Sequence, residues 1–104
     1  MPAPTTPPSA VRRALSELGQ DIADARKRRG LTMEIVADRA FTTRKSLARV
    51  EAGDHGVSMG IYASVLHALG LFDGLGGLAD LRNDPVGHAL AAAKLPKRVR
   101  PKRS

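Results

Sequence analysis

The stretch LTMEIVADRAFTTRKSLARVEAG, Leu31–Gly53, decides the fold of this chain. Its apolar residues recur at helical spacing on both sides of two adjacent threonines, which predicts two short helices joined by a tight turn. Thr32 and Thr43 are candidate caps, because a threonine hydroxyl can accept a hydrogen bond from the free N–H groups of a helix's first turn. Gly53 suits the end of the second helix, since glycine adopts a left-handed conformation at little steric cost.

The second of these helices places its polar residues on one face. Leu47 and Val50 lie three residues apart and predict its inward face. The outward face then carries Arg44, Lys45, Ser46 and Arg49. A helix with such a face can lie in a DNA major groove, where the planar fork of arginine matches the N7 and O6 acceptors of guanine. We predict that these four residues contact bases and that Thr32 and Thr43 contact phosphate.

An alternative interpretation is that these cations are ordinary solvated charges on a surface helix. Two cations in the first turn of a helix oppose its dipole, which favours anions there. A helix selected for stability alone would more often carry aspartate or glutamate at these positions. The pattern therefore favours base contact.

The chain resembles the Xre-type helix-turn-helix family, which includes phage repressors and antitoxins. The matching residues are Ala37 in the first helix, Leu47 and Val50 in the second, and the ending Glu51-Ala52-Gly53. The register is consistent from about residue 18 to residue 69. The resemblance implies an all-α, lambda-repressor-like fold of five to six helices that binds double-stranded DNA.

The same resemblance implies a structural ion pair and shows two departures. Arg26, four residues before Gly30, fits a family arginine that pairs with the glutamate, here Glu51. Phe41 stands where the family usually has a glycine in the turn, and a bulky residue is not comfortable with positive φ. Met33 replaces a glutamine and cannot donate its hydrogen bond to phosphate. These departures predict a turn that differs or is strained.

Within the family, the chain is most similar to HipB-like regulators. The similarity rests on GLTMEIVADRA, LARVEAGDHGVSM and YASVLHALGL, and on the basic ending LPKRVRPKR. It implies an antitoxin that represses its own operon and binds a HipA-like kinase toxin. Alternatives are a phage-type repressor or a restriction–modification controller without a toxin partner, a protein-interaction adaptor of the same fold, and an RNA-binding regulator.

Composition limits the remaining functions. The chain has 104 residues, no cysteine and a net charge of +7. His55, His67 and His88 lack metal-ligand spacing, and the glycine cluster at 74–77 lacks the lysine and hydroxyl residue of a phosphate loop. We therefore predict no enzyme, cofactor or metal. No apolar run is long enough to span a bilayer, and MPAPTTPPSA lacks the pattern of a signal peptide, so a cytoplasmic protein is expected.

The predicted organisation has three parts: a flexible arm at 1–9, a helix-turn-helix domain at 10–93 with its motif at 32–53, and a basic tail at 94–104. The first helix is expected to end at Arg29, the fourth to run from a Ser58 cap to Leu69, and two short helices to follow at about 75–82 and 86–94. Among the cations of the tail, we predict phosphate contacts for Lys97, Arg98, Arg100, Lys102 and Arg103. Apolar residues in excess after Gly53 predict a homodimer, which would bind an inverted-repeat operator.

Overall fold

The computed structural model describes the backbone of residues 6–98 and the side chains of residues 6–94. It contains five α-helices and, within the described residues, no strand. They are α1 (Ser9–Arg28), α2 (Met33–Arg39), α3 (Arg44–Glu51), α4 (Met59–Ala68) and α5 (Pro85–Arg98). The predicted all-α fold of five to six helices is confirmed. Contacts divide the chain into two compact units, which meet in the sequence between Phe72 and Asp73.

Local chemistry sets the ends of the helices in the first unit. The hydroxyl groups of Thr32, Thr43 and Ser58 each accept a hydrogen bond from the backbone N–H three residues later, at 3.0–3.2 Å. Gly30, Gly53 and Gly70 follow α1, α3 and α4 with φ of 64°, 73° and 77°. All three caps and the glycine stop at Gly53 agree with the sequence prediction.

The core of the first unit is small and aliphatic. Five side chains are almost fully buried in it, contributed by all four helices: Ile22, Val36, Leu47, Val50 and Val65. Helix α3 packs against α1, α2 and α4 and so lies in the middle of the unit. This position fixes the orientation of α3, because its inward residues Leu47 and Val50 have no exposed surface at all.

Two glycines let α1 and the end of α3 approach at backbone distance. A Cβ atom on Gly19 would lie 2.6 Å from the carbonyl oxygen of Val50 and 2.7 Å from the nitrogen of Gly53. A Cβ atom on Gly53 would in turn lie 2.6 Å from the carbonyl oxygen of Leu15. Real Cβ atoms do not occupy such distances, so any larger residue at either position would push the two helices apart.

The turn between α2 and α3 keeps its shape although Phe41 occupies it. Phe41 has a φ of 55°, the only described non-glycine residue with positive φ. Its N–H donates to the carbonyl of Asp38 at 3.1 Å, and the N–H of Thr42 donates to that of Ala37 at 2.9 Å. These two bonds close the end of α2 in the way that a glycine there would allow. Met33 is half-buried and packs against the core.

The second unit corrects two predictions. The helix expected at about 75–82 is wrong: the segment forms two single 3₁₀ turns, Leu75–Gly77 and Leu81–Asn83. Adjacent glycines at 76 and 77 weaken an α-helix, and Asp80 starts the second turn by accepting a hydrogen bond from the N–H of Arg82 at 2.9 Å. The last helix, expected at about 86–94, begins at Pro85 and extends past Lys94 to Arg98.

Candidate nucleic-acid interface

The outward face of α3 carries the residues predicted to contact bases. Arg44 and Lys45 are exposed in its first turn, Ser46 is half-buried and Arg49 is exposed one turn later. Thr43 caps this helix and is also exposed. Since Leu47 and Val50 fill the core, the polar side of α3 has to face solvent. The first turn therefore presents two exposed cations.

Arg49 differs from the other two cations because a neighbouring carboxylate already binds it. Its Nε donates to Oδ2 of Asp54 at 2.7 Å, and the side chains are 46% and 35% exposed. The bond to Asp54 raises the pKa of Arg49. The pKa of Asp54 is lowered, first by its bond with Arg49 and then by the N–H of Gly56, which donates to Oδ1 at 2.7 Å.

Tyr62 holds the loop that carries this carboxylate. Its hydroxyl donates to the backbone carbonyl of Asp54 at 2.8 Å, and its ring is buried against the core. Burial raises the pKa of Tyr62, with the charge of Asp54 adding to the effect. The loop after α3 is thus tied to α4. Its Asp54 carboxylate in turn holds the Arg49 guanidinium at one place on the outward face.

The two threonines predicted to contact phosphate lie at the starts of α2 and α3. The oxygen of each accepts a backbone N–H, that of Ile35 for Thr32 at 3.1 Å and that of Ser46 for Thr43 at 3.0 Å. A hydroxyl that accepts a hydrogen bond still has its own proton to donate. Both side chains are exposed, so capping and donation to a phosphate oxygen are compatible.

The structure brings Arg26 and Glu51 together, 25 residues apart in sequence. The guanidinium donates to both carboxylate oxygens, Nε to Oε2 at 2.7 Å and Nη2 to Oε1 at 3.1 Å. Its remaining nitrogen, Nη1, donates to the carbonyl of Leu31 at 3.1 Å. The Arg26 side chain therefore links α1 both to the end of α3 and, through Leu31, to the connection before α2.

The predicted phosphate contacts in the tail lie mostly beyond what can be described. Lys97 and Arg98 belong to the last turn of α5, and their side chains lie outside the described residues. Arg100, Lys102 and Arg103 lie outside them altogether. The contacts predicted for these five residues stay predictions.

Sequence reasoning missed Asp54, Tyr62 and Gly19. The signal for Asp54 was its place five residues after Arg49, directly behind the glycine that ends α3. Gly19 was visible as an isolated glycine inside a helical pattern, which often marks a close approach. Nothing local marked Tyr62, because its partner is a backbone carbonyl.

Neither a metal site nor a membrane-crossing helix is found in the described part of the chain. No three histidine, aspartate or glutamate side chains cluster within residues 6–94 in a way that would hold an ion. No helix among the described residues is long and apolar enough to cross a bilayer.

Comparison with known proteins agrees with the geometry. Residues 17–75, more than half of the chain, match the family model described as a helix-turn-helix domain. No curated protein and no solved structure matches the chain significantly. The matched range includes α1 from residue 17 onward, all of α2, α3 and α4, and the whole outward face of α3. The chain therefore belongs to the helix-turn-helix domain family, in an Xre-like form with a lambda-repressor-like fold, and this membership indicates a DNA-binding regulator.

Proposed function

We propose that this protein is a transcriptional repressor that binds an inverted-repeat operator as a homodimer. In this proposal Arg44, Lys45, Ser46 and Arg49 contact bases, while Thr32 and Thr43 donate to phosphate. The observation that carries the proposal is the first turn of α3. It holds Arg44 and Lys45 exposed, and neither forms an ion pair with a described residue.

The role of these residues follows from where α3 lies. A recognition helix has to be rigid, because a base-specific hydrogen bond needs its donor placed within a few tenths of an ångström. Two buried side chains, a threonine cap and the Arg26–Glu51 pair hold α3. Arginine in such a first turn can donate to N7 and O6 of one guanine.

A homodimer is supported by apolar surface in the second unit. Four large side chains there are 47–70% exposed: Leu78, Leu81, Val86 and Leu90. Exposed apolar residues that cluster together often mark a surface that binds another molecule. Pairing of this segment with that of a second copy would bury them, and would give two recognition helices for the two halves of an operator.

The finer part of the proposal is that the protein is a HipB-like antitoxin, co-repressing with a HipA-like kinase toxin. Its support is the similarity of the core segments and of the basic ending. A phage-type repressor or a restriction–modification controller would bind DNA equally well. A neighbouring kinase gene whose toxicity is relieved by co-expression of this protein would separate the antitoxin from both.

The direct test is a gel-shift titration against the DNA upstream of its own gene and against a scrambled duplex, each at two salt concentrations. We expect a preference for the native duplex that persists at the higher salt, because base contacts release no counterions. Arg44→Ala should lower the affinity for the native duplex by about 1–3 kcal/mol and relax specificity at one base pair. An equal loss on both duplexes would make Arg44 a phosphate contact and contradict its assignment.

A further inference from the structure

Phe41 is unfavourable for the fold in both its backbone and its side chain. Its φ of 55° lies in the left-handed region, which glycine adopts freely and a residue with a Cβ does not. Its side chain is 97% exposed, so the ring adds almost no packing in return. Strained conformations of this kind occur mainly where they serve a function. A contact with another molecule would explain why an aromatic ring is held there.

A pocket of about 260 Å³ opens beside Phe41 in the first unit. Its other walls come from the end of α2, from one side of α4 and from the segment after α4: Arg39, Ala40, Ala63, Ser64, His67 and Phe72. The rings of His67 and Phe72 meet edge to face on one wall of the pocket, with centroids 5.5 Å apart. Small-molecule sites usually enclose roughly 300–1,000 Å³. This pocket is nearer in size to one or two side chains.

The charge at the rim of the pocket is positive. Arg39 lies in the last turn of α2, is exposed, and forms no ion pair with any described residue. An arginine next to an apolar pocket favours an occupant that combines an apolar group with a carboxylate. A nucleic acid backbone supplies the negative charge but has no side chain to fill the apolar space.

The pocket and the proposed DNA interface use different residues. No residue of α3 lines the pocket, and none of the side chains proposed to contact bases or phosphate belongs to it. An occupant of the pocket would therefore not displace DNA by competing for the same groups.

We propose that this pocket binds a segment of a partner protein in which one large apolar side chain is adjacent to an aspartate or glutamate. The apolar side chain enters between Phe41, Ala63 and Phe72, and the carboxylate pairs with Arg39. Phe41 is the anchor, since it is 97% exposed and so offers the partner more apolar surface than Phe72, which is 41% exposed. The inference is independent of the proposed repressor function, because it concerns other residues.

A random peptide library displayed on phage tests this proposal. The full chain is the bait, and phage that also bind the Phe41→Gly variant are removed first. We expect the enriched peptides to share an apolar residue next to an acid. They should bind the wild-type protein at least about tenfold more tightly than Phe41→Gly or Arg39→Glu. Val11→Ala removes another exposed apolar side chain, 44% exposed on α1, and should leave the affinity unchanged.

Several outcomes would overturn the proposal. If no enriched peptide depends on Phe41, or if the enriched peptides are basic, the pocket does not bind the proposed partner segment. If Phe41→Gly instead lowered the affinity for a scrambled duplex, the ring would be a DNA contact. If it shifted the sedimentation of the protein toward monomer, the occupant would be a second copy. Phe41→Gly allows each of these measurements on folded protein, since glycine suits the backbone at this position.

Discussion

Arg26 in α1 and Glu51 in α3 form an ion pair through two parallel hydrogen bonds, of 2.7 Å and 3.1 Å, with only 11% and 12% of their side chains exposed. A bidentate ion pair of this geometry is both stronger and more directional than a single hydrogen bond. It ties the helix that braces the unit to the helix proposed to read DNA.

Removing one partner of this pair should destabilise the protein. We expect Arg26→Ala and Glu51→Ala each to lower the free energy of unfolding by about 2–3 kcal/mol, since each leaves a largely buried charge without its partner. The double variant should lose much less than the sum, because the second change removes the orphaned charge. Urea denaturation of the four proteins measures this, and simple additivity would show that the pair does not act as a unit.

The close approach of Gly19 to α3 predicts an unusual response to alanine. In most helices Gly→Ala stabilises by up to about 1 kcal/mol. At Gly19 the new methyl group would meet backbone atoms at 2.6–2.7 Å, so we expect Gly19→Ala to destabilise by about 1–3 kcal/mol. Thermal unfolding monitored by circular dichroism would measure the change.

Gly60 in α4 is the matched control, because a Cβ atom there would meet only the Ser58 hydroxyl oxygen at 3.8 Å. Gly60→Ala should raise the melting temperature. A stabilised Gly19→Ala would mean that α1 and α3 are farther apart than the structure shows.

The strain at Phe41 predicts that Phe41→Gly and Phe41→Ala differ in stability. The ring is exposed, so neither Phe41→Gly nor Phe41→Ala removes packing, but only glycine relieves the left-handed backbone. We expect the glycine variant to be more stable than the alanine variant by about 1 kcal/mol. Chemical denaturation of both proteins tests it, and equal stabilities would indicate that the turn relaxes out of this conformation in solution.

The Arg49–Asp54 pair predicts an effect of Asp54 on DNA binding. Asp54→Asn removes the charge that holds the guanidinium, so Arg49 should become available to phosphate. We expect tighter binding to a scrambled duplex, with a plot of log affinity against log salt that is steeper by about one.

Asp80→Asn is the control for this effect, because it makes the same change in net charge and also breaks a pair, between Asp80 and Arg82 at 3.0 Å. If both variants bind the scrambled duplex equally, the gain comes from net charge alone. If Asp54→Asn instead loses affinity for the native operator, then Asp54 positions Arg49 for base contact.

The starts of α2, α3 and α4 and the ends of α1, α3 and α4 depend on groups only a few residues apart, which is why a sequence can indicate them. A threonine or serine hydroxyl caps the N–H three positions on, and a glycine follows where the chain must become left-handed. The division of α3 into a buried and a polar face follows equally from its 3.6-residue period. The segment at 75–82 was the exception, since its apolar residues repeat like those of a helix while its glycines prevent one.

Local sequence therefore determined the helices of this protein, their caps and the cations on the outward face of α3. Only the tertiary structure decided that the backbone of α3 lies against Gly19, that the Tyr62 hydroxyl binds the backbone carbonyl of Asp54, and that the Phe41 ring is exposed beside a pocket. The physical reason is the range of the interactions. Caps and helical periodicity act between neighbours in the chain, whereas these three features depend on how packing places groups that the sequence alone does not bring into contact.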